Sequence, residues 1–221
     1  MKHLLLFLSF ILLSACSSAT DMEQENAQQT SIVEAVKNRK YDLVKAELKK
    51  GTNVNSVDKN KKSLLLLATE NDDLEMAKLL TAHGADVNQQ DDRLDSPFLL
   101  AGASGKAALV KLYLTKGARF DIFNRYNGTA LIPACERGHT EVVQILARTK
   151  GFPIDHVNRL GWTALMEAVV LGDGSKKYVE IVRILVNAGC DIQIPDKDGV
   201  TALQHARKRN YDGIAKVLDP K

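Results

Sequence analysis

One spacing governs what this 221-residue chain can fold into. An alanine recurs at Ala35, Ala68, Ala101, Ala134, Ala168 and Ala206, at steps of 33, 33, 33, 34 and 38 residues. Three further columns keep the same register. Five residues before each alanine stands a hydroxyl: Thr30, Ser63, Ser96, Thr129, Thr163 and Thr201. A glycine column runs Gly51, Gly84, Gly117, Gly151, Gly189, and an Asp/Asn column runs Asp58, Asp91, Asn124, Asn158, Asp196. A fixed period of this length means a stack of small units, none of which can bury its apolar face alone.

Each column has a physical task. The hydroxyl precedes an apolar-periodic stretch and can accept from the free N–H groups that open a helix. The alanine falls in mid-helix, where a small side chain lets the next unit approach. The glycine follows a second apolar run, such as Glu75-Met76-Ala77-Lys78-Leu79-Leu80, and suits the left-handed residue that ends a helix. The Asp or Asn starts a turn by bonding its own backbone. The expected unit is therefore helix, short turn, helix, protruding turn. Low aromatic content (5%) agrees with an all-α class rather than a β-sandwich.

Several runs resemble ankyrin-repeat signatures: Thr129-Ala130-Leu131, Gly138-His139-Thr140-Glu141-Val142-Val143 and Gly84-Ala85-Asp86-Val87-Asn88. Ser96-Pro97-Phe98-Leu99-Leu100-Ala101 and Gly161-Trp162-Thr163-Ala164-Leu165 resemble the opening of the same motif. The resemblance implies an all-α ankyrin-repeat solenoid over residues 30–219, in units of about 30–57, 58–90, 91–123, 124–157, 158–195 and 196–219. Lys61 and Leu94 replace the usual turn glycine, so those two turns are expected to be distorted. Unit five carries extra residues around Asp173-Gly174-Ser175-Lys176-Lys177, between its helices. Polar residues Lys37, Asn38, Arg39 and Lys40 in the first unit, and Arg207 in the last, read as caps on the exposed ends.

Ahead of the array, Lys2 and the apolar run Leu4–Leu13 read as an export signal, residues 1–15. The run is too short for a permanent span, which needs about 20 apolar residues. Leu13-Ser14-Ala15-Cys16 resembles the lipobox of bacterial lipoproteins, which implies cleavage before Cys16 and lipids on that cysteine. Cleavage after Ala19, leaving a free soluble protein, is the competing reading. Ser17 differs from the Asp that resembles an inner-membrane retention signal. In a Gram-negative host this implies an outer-membrane lipoprotein facing the periplasm, with polar residues 16–29 as a tether.

No enzyme is expected. Gly102-Ala103-Ser104-Gly105-Lys106-Ala107 lacks the first glycine and the last hydroxyl of a phosphate loop. Asp196-Lys197-Asp198-Gly199 lacks the third acid and distal glutamate of a calcium loop. Cys135 and His139 are four apart, but they fall in a packing column and in the Gly-His turn. Cys135 and Cys190 occupy columns too far apart for a disulfide. No cofactor or metal set is expected, and 30 basic against 27 acidic residues, evenly mixed, do not argue for nucleic acid.

The remaining function is protein binding. In units four and five Tyr126, Leu160, Trp162, Val170 and Leu171 are apolar where exposure is expected, and Arg93, Arg125, Arg137 and Arg159 surround them. Aromatic residues with arginine are enriched in binding hot spots. Equally, Trp162 could cover the neighbouring turn and Val170-Leu171 could pack under the insertion. Small lipoproteins of this build resemble immunity proteins that neutralise toxins in the periplasm, including lipases delivered by type VI secretion. That resemblance implies a monomer that occludes one toxin; a periplasmic ankyrin scaffold for an envelope enzyme or stress resistance, or a purely structural lipoprotein, is the alternative.

Overall fold

The computed structural model describes residues 31–219. The export signal, Cys16, the tether and Thr30 lie outside them. Each unit is a helix pair: α1 (31–37) with α2 (Tyr41–Lys49), α3 (Leu64–Glu70) with α4 (Leu74–Ala82), and α5 (Pro97–Ala103) with α6 (Ala107–Thr115). Then follow α7 (Leu131–Glu136) with α8 (Thr140–Ala147), α9 (Ala164–Val170) with α10 (Lys176–Asn187), and α11 (Ala202–Lys208) with α12 (Asp212–Leu218). From α3 onward each first helix packs on the next first helix, and from α4 onward each second helix on the next second helix. Two helical layers result. The described residues contain no strand beyond one isolated bridge, Val57 with Ser63.

The columns explain the packing. Ala68, Ala101, Ala134, Ala168 and Ala206 have no exposed surface, each wedged where neighbouring units meet. The carbonyls of Ala35, Ala68, Ala101, Ala134 and Ala206 also accept from Lys40, Asp73, Lys106, His139 and Tyr211, closing the turn between helices. Leucines fill the gaps: Leu64, Leu65, Leu80, Leu109, Leu131, Leu146 and Leu185 are all buried. Each such side chain stabilises the stack by about 1.5–3 kcal/mol. Gly51, Gly84, Gly117, Gly151 and Gly189 have φ between 77° and 92°, the left-handed stop the column implied.

The hydroxyl column caps as expected at four places. Ser63, Ser96, Thr163 and Thr201 accept from the N–H of Leu66, Leu99, Met166 and Gln204. Thr129 does not: its buried hydroxyl has no partner, and α7 starts only at Leu131. The cause is Pro133. In the other units the residue four after the hydroxyl (Leu67, Leu100, Glu167, His205) donates its N–H to the hydroxyl residue's carbonyl. Proline has no such donor, so the first turn of α7 is left open.

The turns of Lys61 and Leu94 are not distorted, contrary to expectation. Lys61 (φ 57°) and Leu94 (φ 60°) adopt the same left-handed backbone as Asn127, Gly161 and Gly199 in the equivalent positions. The acidic column enforces it. Asp58, Asp91, Asn124, Asn158 and Asp196 each accept two backbone N–H bonds through one side-chain oxygen, from residues two and four further on. The side chain holds the turn, and the residue at its tip carries the strain.

The insertion in unit five extends α10 to 12 residues, against 9 for α4 and α6. Buried Tyr178, in its first turn, donates its hydroxyl to the Glu136 carbonyl at 2.7 Å. The longer helix thus reaches back and fixes the end of α7. Cys135 is buried, Cys190 half buried, and both thiols are free.

Candidate partner-binding cleft on units four and five

The turns of units four and five stand side by side. Arg159 donates its N–H to the Tyr126 carbonyl at 2.9 Å, and Lys197 Nζ from unit six donates to the Arg159 carbonyl at 2.7 Å. With their tips held by Asn124 and Asn158, these turns and the first helices α7 and α9 enclose a cleft of about 360 Å³. Tyr126 and Leu160 come from the turns, Ile132, Pro133 and Glu136 from α7, and Glu167 and Leu171 from α9 and its end.

Three large apolar side chains in this cleft remain open to water: Tyr126 (53%), Leu160 (50%) and Leu171 (48%). Grouped exposure of this kind marks interaction surface, whereas single exposed apolar residues are ordinary. Arg125 lies over the Tyr126 ring, 5.0 Å from its centre, and its Nη1 is 3.4 Å from Asp95 Oδ2. Arg137 also lines the cleft and donates Nη1 to the Ala103 carbonyl at 2.7 Å. Both guanidinium groups are therefore anchored toward unit three.

The structure brings Arg125, Tyr126, Arg137, Leu160 and Leu171 together in the cleft lining. It does not bring the rest. Arg93 is exposed beside Asp95 at 3.9 Å, and Arg159 is exposed at its turn tip. For Trp162 and Val170 the structure takes the packed alternative rather than the exposed one: both are half buried and pack against the core. The Trp162 backbone exchanges hydrogen bonds with Asn158: its N–H donates to the side-chain Oδ1, and its carbonyl accepts from the Asn158 N–H. That pairing places it at the foot of the turn, against the stack, rather than at its tip.

Sequence reasoning missed the cleft's most unusual group, Glu167. It is only 4% exposed, and its Oε1 accepts from Asn158 Nδ2 at 2.8 Å. Burial, and secondarily the Glu136 charge, push its carboxyl up to about 7, against the pull of the Asn158 bond. A signal existed in the repeat. The residue four after the hydroxyl is Glu34 in the first, capping unit and Leu67, Leu100 and Pro133 in units two to four, then Glu167 and His205. Unit six answers with its own pair, His205 Nε2 at 2.7 Å from Asp196 Oδ2. That contact and two backbone N–H groups hold Asp196 below the usual carboxylate range and use both its oxygens within its own turn.

The Cys135 thiol is fully buried, and desolvation holds it well above the ordinary thiol value. A thiol kept protonated is a poor nucleophile. His139 stands at the start of α8 without a side-chain capping bond, and burial lowers its imidazole below the ordinary value. Among the described residues no group of His, Cys, Asp or Glu could hold a metal ion, and no helix is long and apolar enough to cross a membrane.

Comparison with known proteins agrees with this architecture. A crystal structure of an ankyrin repeat domain from Acinetobacter baumannii AYE superposes with a TM-score of 0.82 at 44% identity, covering 85% of this chain and 95% of that one. A second solved ankyrin repeat protein matches with the same TM-score at 39% identity, covering 85% and 96%. The ankyrin repeat protein YahD of Escherichia coli K12 is 40% identical over 94 residues. Ankyrin repeat domain-containing protein 63 of mouse is 36% identical over 105. The aligned part is 42% of this chain and 47% of YahD, and 48% of this chain and 26% of the mouse protein. The family described as ankyrin repeats (3 copies) matches residues 5–91 and 98–196, its first match beginning within the segment read as an export signal. A stack of this kind typically serves as a protein-interaction scaffold, and by its repeats, its solved neighbours and its helix pairs this chain belongs to the ankyrin-repeat family.

Proposed function

We propose that this chain is a protein-binding lipoprotein of the bacterial envelope, held by lipids on Cys16, and that it is an immunity protein for a toxin acting in the periplasm, such as a type VI secretion lipase. The observation that carries the binding reading is the open apolar group Tyr126, Leu160 and Leu171, gathered in one cleft of a rigid stack. A preformed surface loses little entropy on docking, so its apolar contacts translate into affinity. Covering a toxin's active site or membrane-binding surface requires no chemistry from the inhibitor. It requires only position, which the lipobox-like Leu13-Ser14-Ala15-Cys16 would supply on the periplasmic face of the outer membrane.

Survival tests the reading. Cells receiving a toxin encoded beside this gene in their periplasm should live with the parent protein. Tyr126→Ala with Leu160→Asp should kill protection while leaving helical content unchanged. Loss of one central aromatic anchor alone costs about 2 kcal/mol, roughly a thirtyfold weaker complex. Cys16→Ser should lose both a palmitate label and outer-membrane fractionation. No protection by the parent against any neighbouring toxin would reject the immunity role.

A further inference from the structure

Eight glutamates fall among the described residues, and six of them sit in ion pairs: Glu34 with Lys37, Glu47 with Lys50, Glu70 with Lys62, Glu75 with Lys78, Glu141 with Lys111, and Glu180 with Arg183. The two without a cation, Glu136 and Glu167, both line the cleft of units four and five. Cations are near at hand. Arg125 and Arg137 line the same cleft, yet their guanidinium groups are engaged with Asp95 and the Ala103 carbonyl, and neither pairs with either glutamate. Glu167 is the more telling of the two. It is 4% exposed, it lines open space, and the hydrogen bond its carboxylate receives is the one Asn158 gives to Oε1. A buried carboxylate without a countercharge is costly, and the stack has nevertheless placed a second acid close enough to raise its cost.

The walls supply the rest of the fit. Tyr126, Leu160 and Leu171 offer apolar surface above the carboxylates, and the cleft of about 360 Å³ admits one long side chain. Lysine and arginine have this form, an aliphatic stem ending in a charged head. We infer that the cleft receives a Lys or Arg side chain projecting from the protein partner, its stem lying on Tyr126, Leu160 and Leu171 and its cationic head pairing with Glu136 and Glu167. This rests on the reading of the cleft as the partner's docking site. It adds that the docked segment is basic, although arginines rim the surface that receives it. Placing Arg125 and Arg137 away from the carboxylates keeps the site free for the partner's charge. An acidic segment docking on the arginines would instead bring its charge against two unpaired glutamates.

The test needs no toxin. The full chain, isotopically labelled and held in detergent micelles, is titrated by NMR with acetyl-Gly-Arg-Gly-amide, with its citrulline counterpart, and with acetyl-Gly-Glu-Gly-amide. The arginine peptide should give saturable shifts confined to signals of Tyr126, Leu160, Leu171 and their neighbours. It should bind about tenfold more tightly than the uncharged citrulline peptide, the scale of a partly desolvated ion pair. Glu136→Gln with Glu167→Gln should erase that preference while the Tm stays at or above the parent's. Equal binding of arginine and citrulline peptides, no binding of either, or preference for the glutamate peptide each overturns the inference. Loss of protection in Tyr126→Ala with Leu160→Asp, without any arginine preference, would leave the docking site standing and remove only its proposed occupant. Arginine preference alongside a failed survival assay would support the occupant and reject the immunity role.

Discussion

Replacing Glu167 by Gln should make the array more stable above neutral pH and leave it unchanged in acid. The carboxyl is pushed from an ordinary 4.5 up to about 7 in the folded chain, chiefly by burial and then by Glu136. In the unfolded chain it ionises at the ordinary value, so between these limits the native state binds the extra proton. Stability linked to this group is therefore complete below about 4.5 and is lost as pH rises to about 7. The full shift is worth about 3.4 kcal/mol, and water at the open side of the cleft screens it, leaving about 1–3 kcal/mol. Glutamine keeps an oxygen for the Asn158 Nδ2 bond and never ionises. Urea midpoints of parent and Glu167→Gln should coincide near pH 4 and separate progressively through pH 7, with the variant the more resistant and the gap nearly constant above it. Asp95 is also raised by burial and by Asp91, so the parent's curve alone is not diagnostic; the difference between the two proteins is. Parallel curves from pH 5 to pH 8 would refute the account of Glu167 as an uncompensated buried acid.

Gly102→Ala should destabilise the stack, although alanine is the better helix former by about 1 kcal/mol. A Cβ there would lie 2.7 Å from Ala130 Cβ and 2.9 Å from its carbonyl oxygen, which backbone cannot yield cheaply, so a net loss of about 1–2 kcal/mol is expected from denaturant midpoints. Leu94→Gly should raise the Tm, worth up to about 1 kcal/mol, because it releases a left-handed backbone held by an exposed leucine. A lower Tm would show that the Leu94 side chain stabilises the turn more than its backbone strains it.

The fold was legible because a repeat states each structural demand several times. An alanine at one position is ambiguous; Ala68, Ala101, Ala134, Ala168 and Ala206 in register name a buried seam, and all five have no exposed surface. The failures arise where a neighbouring column overrides one residue. Thr129 carries the capping hydroxyl, yet Pro133 removes the donor that closes the first turn, and the hydroxyl is left alone. Lys61 and Leu94 lack glycine's freedom, yet Asp58 and Asp91 clamp their turns into the common shape. Trp162 was legible as an unusual residue with two possible placements, exposed or packed, and the choice follows from how the turn closes on Asn158. The exposure of Tyr126, Leu160 and Leu171 followed from their positions at turn tips and at a helix end.

Glu167 shows what reading columns in pairs adds to reading them singly. Its partner column offers Asp58, Asp91, Asn124, Asn158 and Asp196, and the residue nine further on is Leu67, Leu100, Pro133, Glu167 and His205. In units two to four the second residue cannot hydrogen-bond through its side chain, and the turn residue serves only its own backbone. Where the second residue becomes polar, the first matches it. Glutamate faces Asn158, whose amide can donate, and histidine faces Asp196, whose carboxylate can accept. An aspartate at 158 would set two carboxylates together; an asparagine at 196 would replace one carboxylate oxygen that accepts from the ring by an amide group. The unit-six pair is self-contained, both oxygens of Asp196 being occupied within its own unit. The unit-five pair satisfies a hydrogen bond but leaves the charge of Glu167 unanswered, beside Glu136 and under an open apolar wall. Stability alone does not call for that arrangement, since leucine fills the same position in units two and three. The glutamate makes physical sense where something from outside completes it.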